Sequence, residues 1–224
     1  MIHLNIGSNL NSNFGNKFDN ISIAIKLLIE KKFDVKKISN FYETPSYPNK
    51  SLPNFLNVGI LGKFRKEARE LRNIISLIEK KIGRVKTKKN NPRVCDIDII
   101  DFNGENIDMN NLTIPHKRCH QRNFVLFPIS QIDPCWAHPI LKKNVNVLIG
   151  QLDLKSRIEI TRLNKNVPNV LNVGIFGVFN KSAKELRNII SLIERKIGRI
   201  KSKKNDPRVC DIDIIDFNGE NLDI

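Results

Sequence analysis

The sequence predicts an α+β sandwich with a mainly antiparallel sheet, and two observations carry that expectation. Short apolar or alternating runs of strand length take turns with longer runs whose apolar residues recur at helical spacing. Clusters of Gly, Pro, Asn and Ser separate these runs where the chain must turn. Residues 2–6 (IHLNI) read as a first strand that ends in the turn-like GSNLNSN. Residues 19–31 follow as a helix with Asp19 or Asn20 as its cap. Residues 35–42 alternate as a strand, which Thr44-Pro45 and Tyr47-Pro48 break into a loop. Residues 55–64 read as the next strand. Residues 66–82 form a helix with Leu71, Ile74, Ile75, Ile78 and Ile82 on one face and Gly83 as its stop. After a basic loop, residues 95–102 read as a buried strand and residues 124–132 as a short helix. The order β-α-β-β-α-β is that of a ferredoxin-like sandwich.

The chain also repeats part of itself. Residues 53–109 recur as 168–224 at a constant offset of 115, and 45 of the 57 positions are identical. Two copies are too few for a solenoid, so the second is a partial duplicate expected to form β-α-β. The expected organisation is a domain over 1–160, a linker over 161–167 and the duplicate over 168–224. Most exchanges are mild, but Phe55 becomes Val170, Lys63 becomes Val178 and Arg65 becomes Asn180.

Composition narrows the function. In 224 residues, 40% are hydrophobic, enough to bury a core. Lys and Arg number 38 against 23 Asp and Glu, a net charge of +15, which favours an anionic partner. The abundance of Lys, Asn and Ile fits an AT-biased coding sequence, so the charge alone selects no particular anion. No apolar run approaches the roughly 20 residues that span a bilayer, and no secretory signal is visible at the N-terminus. Four cysteines are too few for a disulfide scaffold of this length. A cytoplasmic protein without a membrane partner is expected.

The stretch PRVCDIDIID, residues 92–101, carries the most chemistry. In a strand Asp96 and Asp98 project from the same face, with Ile97 and Ile99 turned to the core. Paired carboxylates repel unless a cation or proton lies between them, and Mg²⁺ is held by one or two carboxylates plus substrate phosphates. Arg93 and the run Lys86, Lys88 and Lys89 add cations beside the acids. Acids for a metal beside bases for phosphate describe a nucleotide site, although a solvated polar face is the plainer reading of any D-x-D. Gly7-Ser8-Asn9 could turn backbone N–H groups toward an anion. Phe55 and Asn57 share a strand face, where a ring and an amide could meet a flat heterocycle. His116-x-x-Cys119 and Cys135-x-x-His138 have zinc-ligand spacing, but the helix expected between them would hold the pairs apart, so structural zinc is not expected.

These pieces, in this order, resemble 6-hydroxymethyl-7,8-dihydropterin pyrophosphokinases of folate biosynthesis. The resemblance runs through Gly7-Ser8-Asn9-Leu10, Phe41-Tyr42-Glu43-Thr44-Pro45, Phe55-Leu56-Asn57, Glu79 with Gly83-Arg84, Pro92-Arg93 with Asp96-Ile97-Asp98, Thr113-Ile114-Pro115-His116 and Arg122-Asn123-Phe124. It covers about residues 1–150. It implies a ferredoxin-like fold and transfer of pyrophosphate from ATP, the co-substrate, to the pterin hydroxymethyl group, with release of AMP.

The resemblance also implies roles. Asp96 and Asp98 would bind two Mg²⁺ ions, and Arg84 and Arg93 would neutralise the charge developing at the transferred phosphorus. His116 and Arg122 would contact ATP phosphates, with Glu79 and Thr113 on the nucleotide side. Phe55 and Phe124 would sandwich the pterin, while Asn57, Thr44 and Pro45 would meet its edge. The chain departs from the family at Asn90 and Asn91, where an aromatic often stands, at Lys117, and at Asn111. The duplicate keeps Asn172, Glu194, Arg199, Arg208, Asp211 and Asp213 but has no counterpart of 7–45 or 116–124. It is expected to be silent alone, in a protein that is a monomer unless the duplicate exchanges strands between chains. Two rival readings are a catalytically impaired relative that still binds pterin or nucleotide, and a basic RNA-binding module. With 7% aromatics and no aromatic RNA-binding motif on the Asp96 strand, no nucleic-acid partner is expected.

Overall fold

The computed structural model describes residues 1–47, 49–85, 92–109, 112–166 and 182–197. Met1–Val170 and Leu171–Ile224 form separate compact units. In the first, strands β1 (Ile2–Ser8), β2 (Asp34–Ile38), β3 (Asn40–Thr44), β4 (Phe55–Lys63), β5 (Asp96–Phe102) and β8 (Thr161–Asn166) build one sheet. Its order is β5-β1-β4-β3-β8, with β2 also paired to β4, and every described pairing is antiparallel. Between β5 and β8 come a small hairpin, β6 (Ile107–Met109) and β7 (Leu112–Ile114), a 3-10 turn at Cys119–Gln121, and helices α3 (Asn123–Ile132), α4 (Val145–Gln151) and α5 (Leu154–Ile158).

One face of the sheet is covered by α1 (Lys17–Glu30) and α2 (Ala68–Ile82). Strand alternation supplies the surface they bury: Ile2, Leu4 and Ile6 from β1, Leu56, Val58 and Ile60 from β4, and Ile97 and Ile99 from β5 all point into this core. From α2, Leu71, Ile75, Ile78 and Ile82 meet them, and each fully buried side chain of this size contributes about 1.5–3 kcal/mol. Gly83 ends α2 with φ at 108°, a left-handed cap that a residue with a Cβ adopts only with strain.

α1 begins earlier than the sequence predicted. Asn16 is its cap, accepting from the backbone of Phe18 and Asp19, while the Asp19 carboxylate accepts from Asn16 N at 2.8 Å. Asp19 is thus the third residue of a capping box. The single strand expected over 35–42 is split at Ser39. There Ser39 N donates to Gly59 O and Ser39 Oγ accepts from Gly59 N, both at 2.9 Å, and the two halves pair successive stretches of β4.

The opposite face carries α3 and a second core of Ile100, Val125, Leu126, Ile129, Trp136 and Leu148. Gly59 lets α3 come close, since a Cβ there would sit 2.8 Å from Pro128 Cβ. The segment 161–167, expected as a linker, instead supplies β8, which pairs with β3 through Tyr42↔Arg162 and Glu43↔Thr161. No helix among the described residues is long and apolar enough to cross a membrane.

Within the second unit, α6 (Ala183–Ile197) is the helix expected of the duplicate. Ser182 stands where α2 has Glu67, and its hydroxyl caps Glu185 N while the Glu185 carboxylate accepts from Ser182 N at 3.1 Å. The strands expected to flank α6 fall outside the described residues.

Candidate active site

The helix-free end of the second sheet face is where the polar side chains gather. Strand alternation turns Asn5 and Gly7 of β1, Phe55 and Asn57 of β4, and Asp96 and Asp98 of β5 away from the α1/α2 core. The register aligns them in rows. Gly7 lies between Asp96 and Asn57, and Asn5 lies beside Asp98. Because Gly7 has no side chain, the floor between carboxylate and amide stays open; a Cβ there would stand 3.2 Å from Asn57 Oδ1. α3 and the turn before it wall the space with His116, Arg122 and Phe124, producing a cavity of about 640 Å³, well sized for small ligands.

Asn57 is buried and donates from Nδ2 to Thr44 Oγ1 at 3.1 Å, which fixes the amide and leaves Oδ1 as an acceptor toward the cavity. Phe124 opens α3, with the Arg122 guanidinium carbon 5.3 Å from its ring centre. Arg122 Nη1 lies 3.3 Å from Asp98 Oδ2. His116 Nδ1 accepts from Arg118 N at 3.2 Å, while Nε2 lies 3.4 Å from Arg122 Nη1 and 4.0 Å from Asp98 Oδ2. Burial holds His116 below the ordinary histidine range, against the pull of Asp98.

Asp96 is flanked by two arginines: Arg84 Nη1 lies 2.8 Å from Oδ1, and Arg93 pairs with Oδ2. Arg93 is itself held by Asn9, whose Oδ1 accepts from Arg93 N at 2.6 Å while Asn9 N donates to Arg93 O at 3.0 Å. Asn9 Nδ2 also reaches Pro53 O and Ser46 Oγ, tying the loop after β3 to the loop before β5. The Gly7-Ser8-Asn9 turn therefore spends its polar groups on neighbouring loops rather than presenting N–H groups to an anion.

Burial pushes the Asp98 carboxyl up, and Asp96 adds to it, outweighing His116, Arg122 and Arg93. Negative charge at Asp98 is thus undercompensated despite the arginines. A hard cation with oxygen ligands would relieve that imbalance, so the Asp96 and Asp98 donor set fits Mg²⁺. Around these acids, Arg84, Arg93, Arg118 and Arg122 give the rim a positive balance suited to phosphates.

Ten of the residues expected from the sequence line this one cavity: Thr44, Pro45, Phe55, Asn57, Arg93, Asp96, Asp98, His116, Arg122 and Phe124. Three do not. Arg84 sits at its edge through Asp96. Glu79, expected on the nucleotide side, is only 4% exposed and lies beneath, accepting from Ile97 N at 2.8 Å and pairing with Arg84. Burial pushes its carboxyl up, against the pull of the Ile97 N–H and of Arg84, and the side chain is not among those that line the cavity. Thr113 is on the β6–β7 hairpin, where its hydroxyl donates to Asp108 at 3.0 Å. The expectations for Asn90, Asn91 and Asn111, for the lysines at 86–89, and for Asn172, Arg199, Arg208, Asp211 and Asp213 lie outside the described residues.

The cavity also contains residues that sequence reasoning missed. Asn5 had a signal, two positions before Gly7 on the same strand face. Arg118, Gln121, Ser156 and Glu159 had none, because the turn and α5 reach the cavity only through the tertiary fold.

Among solved structures the chain is similar to the wild-type Plasmodium falciparum HPPK-DHPS with pteroate, with a TM-score of 0.55, 16% identity, and coverage of 72% of this chain and 45% of that one. It is 33% identical over 144 residues to the 2-amino-4-hydroxy-6-hydroxymethyldihydropteridine pyrophosphokinase of Aquifex aeolicus (strain VF5), covering 63% of this chain and 86% of that protein. The corresponding Synechocystis enzyme is 31% identical, with 64% and 74% covered. Folic acid synthesis protein FOL1 of Dictyostelium discoideum is 33% identical over 92% of this chain, which spans only 28% of that protein. The family model for 7,8-dihydro-6-hydroxymethylpterin-pyrophosphokinase (HPPK) matches residues 3–134, the stretch that builds nearly all of the cavity, and the chain belongs to that family.

Proposed function

We propose that the cavity binds Mg-ATP and 6-hydroxymethyl-7,8-dihydropterin together and transfers pyrophosphate between them, as an ATP-dependent diphosphotransferase of folate synthesis. The observation that carries this reading is the juxtaposition, in one cavity, of a carboxylate pair under an arginine rim with two aromatic rings and a fixed amide. The first half suits a nucleotide triphosphate with its metal; the second suits a flat, hydrogen-bonding heterocycle.

In this reading Phe55 and Phe124 stack the pterin, and Asn57 accepts through Oδ1 from its ring N–H groups, with Thr44 and Pro45 closing the edge. Arg93, Arg122 and His116 hold ATP phosphates, and Arg84 offsets charge from behind Asp96. Asp96 and Asp98 hold two Mg²⁺ ions, which when bound supply Lewis-acid stabilisation of the phosphate oxygens. The pterin hydroxyl oxygen forms a bond to the β-phosphorus as the bridging bond to the α-phosphate breaks. The hydroxyl proton passes to water, and AMP leaves with the bonding pair.

All of these side chains lie in 44–124 of one chain, so the reaction needs no second copy. We assign the catalytic domain to the first unit and propose that 168–224 adds no second site, since Val170 replaces the stacking Phe55. AMP release by the full chain tests the reading. It is expected to require both pterin and Mg²⁺ and to vanish in Asp96→Asn; AMP formed without pterin, or none at all, would overturn it.

A further inference from the structure

Strand β1 turns His3, Asn5 and Gly7 toward the sheet face that carries the cavity. His3 Nε2 lies 3.0 Å from Asp133 Oδ2. On the neighbouring strands Asn57 donates to Thr44, Asp96 pairs with Arg84 and Arg93, and Asp98 pairs with Arg122. Asn5 differs from all of these. It lines the cavity and is only 4% exposed, yet its Oδ1 is buried with no hydrogen-bond partner among the described residues. An acceptor left in that state is a cost to the folded chain, which an apolar side chain of the same size would avoid. A trapped water is the plainest partner for such an atom, but the position of Asn5 argues for a ligand.

The register fixes that position. Asn5 stands opposite Gly59 on one side and Asp98 on the other, two residues from Gly7. A Cβ on Gly7 would lie 3.2 Å from Asn57 Oδ1 and 3.7 Å from the Phe55 ring. The bare backbone of Gly7 is thus bordered by the amide, the ring and the carboxylates among which the pterin is proposed to lie. Asn5 borders the same gap from along the strand, and Gly7 puts no side chain between them.

We infer that Asn5 reads the reduced state of the pterin: its Oδ1 accepts from the ring N8–H of the 7,8-dihydro form, while its Nδ2 donates to the neighbouring N1. This rests on the pterin reading given above. A ring held by Asn57 on β4 through the N–H groups of its pyrimidine half, with its hydroxymethyl group reaching Asp96 and Asp98 on β5, crosses β1 over Gly7. One of its long edges then turns to Asn5. The edge with O4 and N5 carries acceptors only. The other edge sets the N8–H donor beside the N1 acceptor, a pattern that an amide matches with both of its ends. The orphaned Oδ1 needs a donor, so it selects that second edge, and rotation about χ2, a soft torsion, aims it there. Oxidation to the fully aromatic pterin removes the N8 proton and sets a lone pair against Oδ1. Asn5 therefore favours the dihydro form, as a group built to meet a substrate N–H rejects the analogue without it.

The test titrates the full chain, in Mg²⁺ and a non-hydrolysable ATP analogue, with 6-hydroxymethyl-7,8-dihydropterin and in parallel with its oxidised form, 6-hydroxymethylpterin. Binding is read by calorimetry, and AMP release from Mg-ATP is measured on the same protein. The wild type is expected to bind the dihydro form roughly 10-fold or more tighter than the oxidised one. Asn5→Leu is expected to lose that preference, leaving the two affinities within about threefold, with KM for ATP unchanged. It should also keep or raise the melting temperature, since it removes an unpaired buried acceptor. Asn5→Ala, which cannot overfill the floor, repeats the comparison. No preference in the wild type, a preference that survives in both variants, or a lowered melting temperature in both would overturn the role of Asn5, while pterin-dependent AMP release by the wild type leaves the pyrophosphokinase reading intact. Absence of both pterin binding and pterin-dependent AMP in the wild type would overturn that reading and this inference together.

Discussion

Replacing Asp98 with Asn removes one charge from the cavity floor and leaves its shape almost unchanged. The attraction to Arg122 at 3.3 Å is worth about 5 kcal/mol at an effective dielectric constant near 20. Strand geometry sets Asp96 about 6.7 Å away, a repulsion of about 2.5 kcal/mol on the same basis. Those two figures alone would make ionised Asp98 a stabiliser. Desolvation reverses the sign, because burial together with Asp96 outweighs the surrounding cations and pushes the Asp98 carboxyl up. The charged side chain is less favourable in the folded chain than in water, so Asp98→Asn is expected to keep or raise the melting temperature near pH 7. That relief is present above the raised pKa and fades as the pH falls toward 3.8, where wild-type Asp98 is itself protonated. Activity moves the other way. Loss of one charge-stabilising group costs 10²–10³-fold, about 3–4 kcal/mol, and loss of a metal ligand is expected to cost at least that. Thermal melts alongside AMP formation at saturating Mg-ATP measure both. A melting temperature lowered by more than about 4 °C, beyond 1–2 kcal/mol for a chain of this size, would make Asp98 a structural ion-pair partner. Activity within tenfold of wild type would refute its place at the reaction.

Three further outcomes are expected. Phe124→Ala should raise KM for the pterin about 10- to 100-fold, the equivalent of 1–3 kcal/mol of stacking, and leave KM for ATP nearly unchanged; equal rises in both would remove Phe124 from the pterin side. Gly59→Ala places a Cβ 2.8 Å from Pro128 Cβ and 3.3 Å from Pro128 backbone, so it should destabilise by about 1–3 kcal/mol, and an unchanged melt would mean that α3 has room to shift. Burial holds His3 below 6.5, so the unfolded chain takes up this proton first and the stability His3 leaves intact above about pH 6.5 is lost as the pH falls below it. His3→Gln should therefore flatten the decline in melting temperature between about pH 7 and 5, and an unchanged slope would count against the assignment.

What the sequence made legible was whatever depends on local periodicity. Alternation along 96–102 set Asp96 and Asp98 on one face and Ile97 and Ile99 on the other, and the structure keeps that division. The apolar stripe of 71–82 with Gly83 behind it gave α2 and its stop. What depends on pairing between distant segments did not show. Ser39 interrupts a strand because its hydroxyl and N–H engage Gly59, twenty residues away. The polar run TRLNKN has no pattern of its own and becomes β8 only because β3 offers a free edge. Glu79 looked like a site residue, and it is one only at a remove, beneath Arg84, since helix spacing says which face a residue occupies but not what lies above it. His116-x-x-Cys119 and Cys135-x-x-His138 looked like pairs because spacing cannot tell that His116 turns to the cavity or that Cys135 is exposed.

The central claim is that this cavity moves a pyrophosphoryl group and not a single phosphate. Phosphorus NMR of the full chain with Mg-ATP and 6-hydroxymethyl-7,8-dihydropterin tests it most directly. The expected result is AMP and a pterin diphosphate in equal amounts, with neither product in Asp96→Asn. ADP with a pterin monophosphate, or ATP consumed with the pterin unchanged, would contradict it.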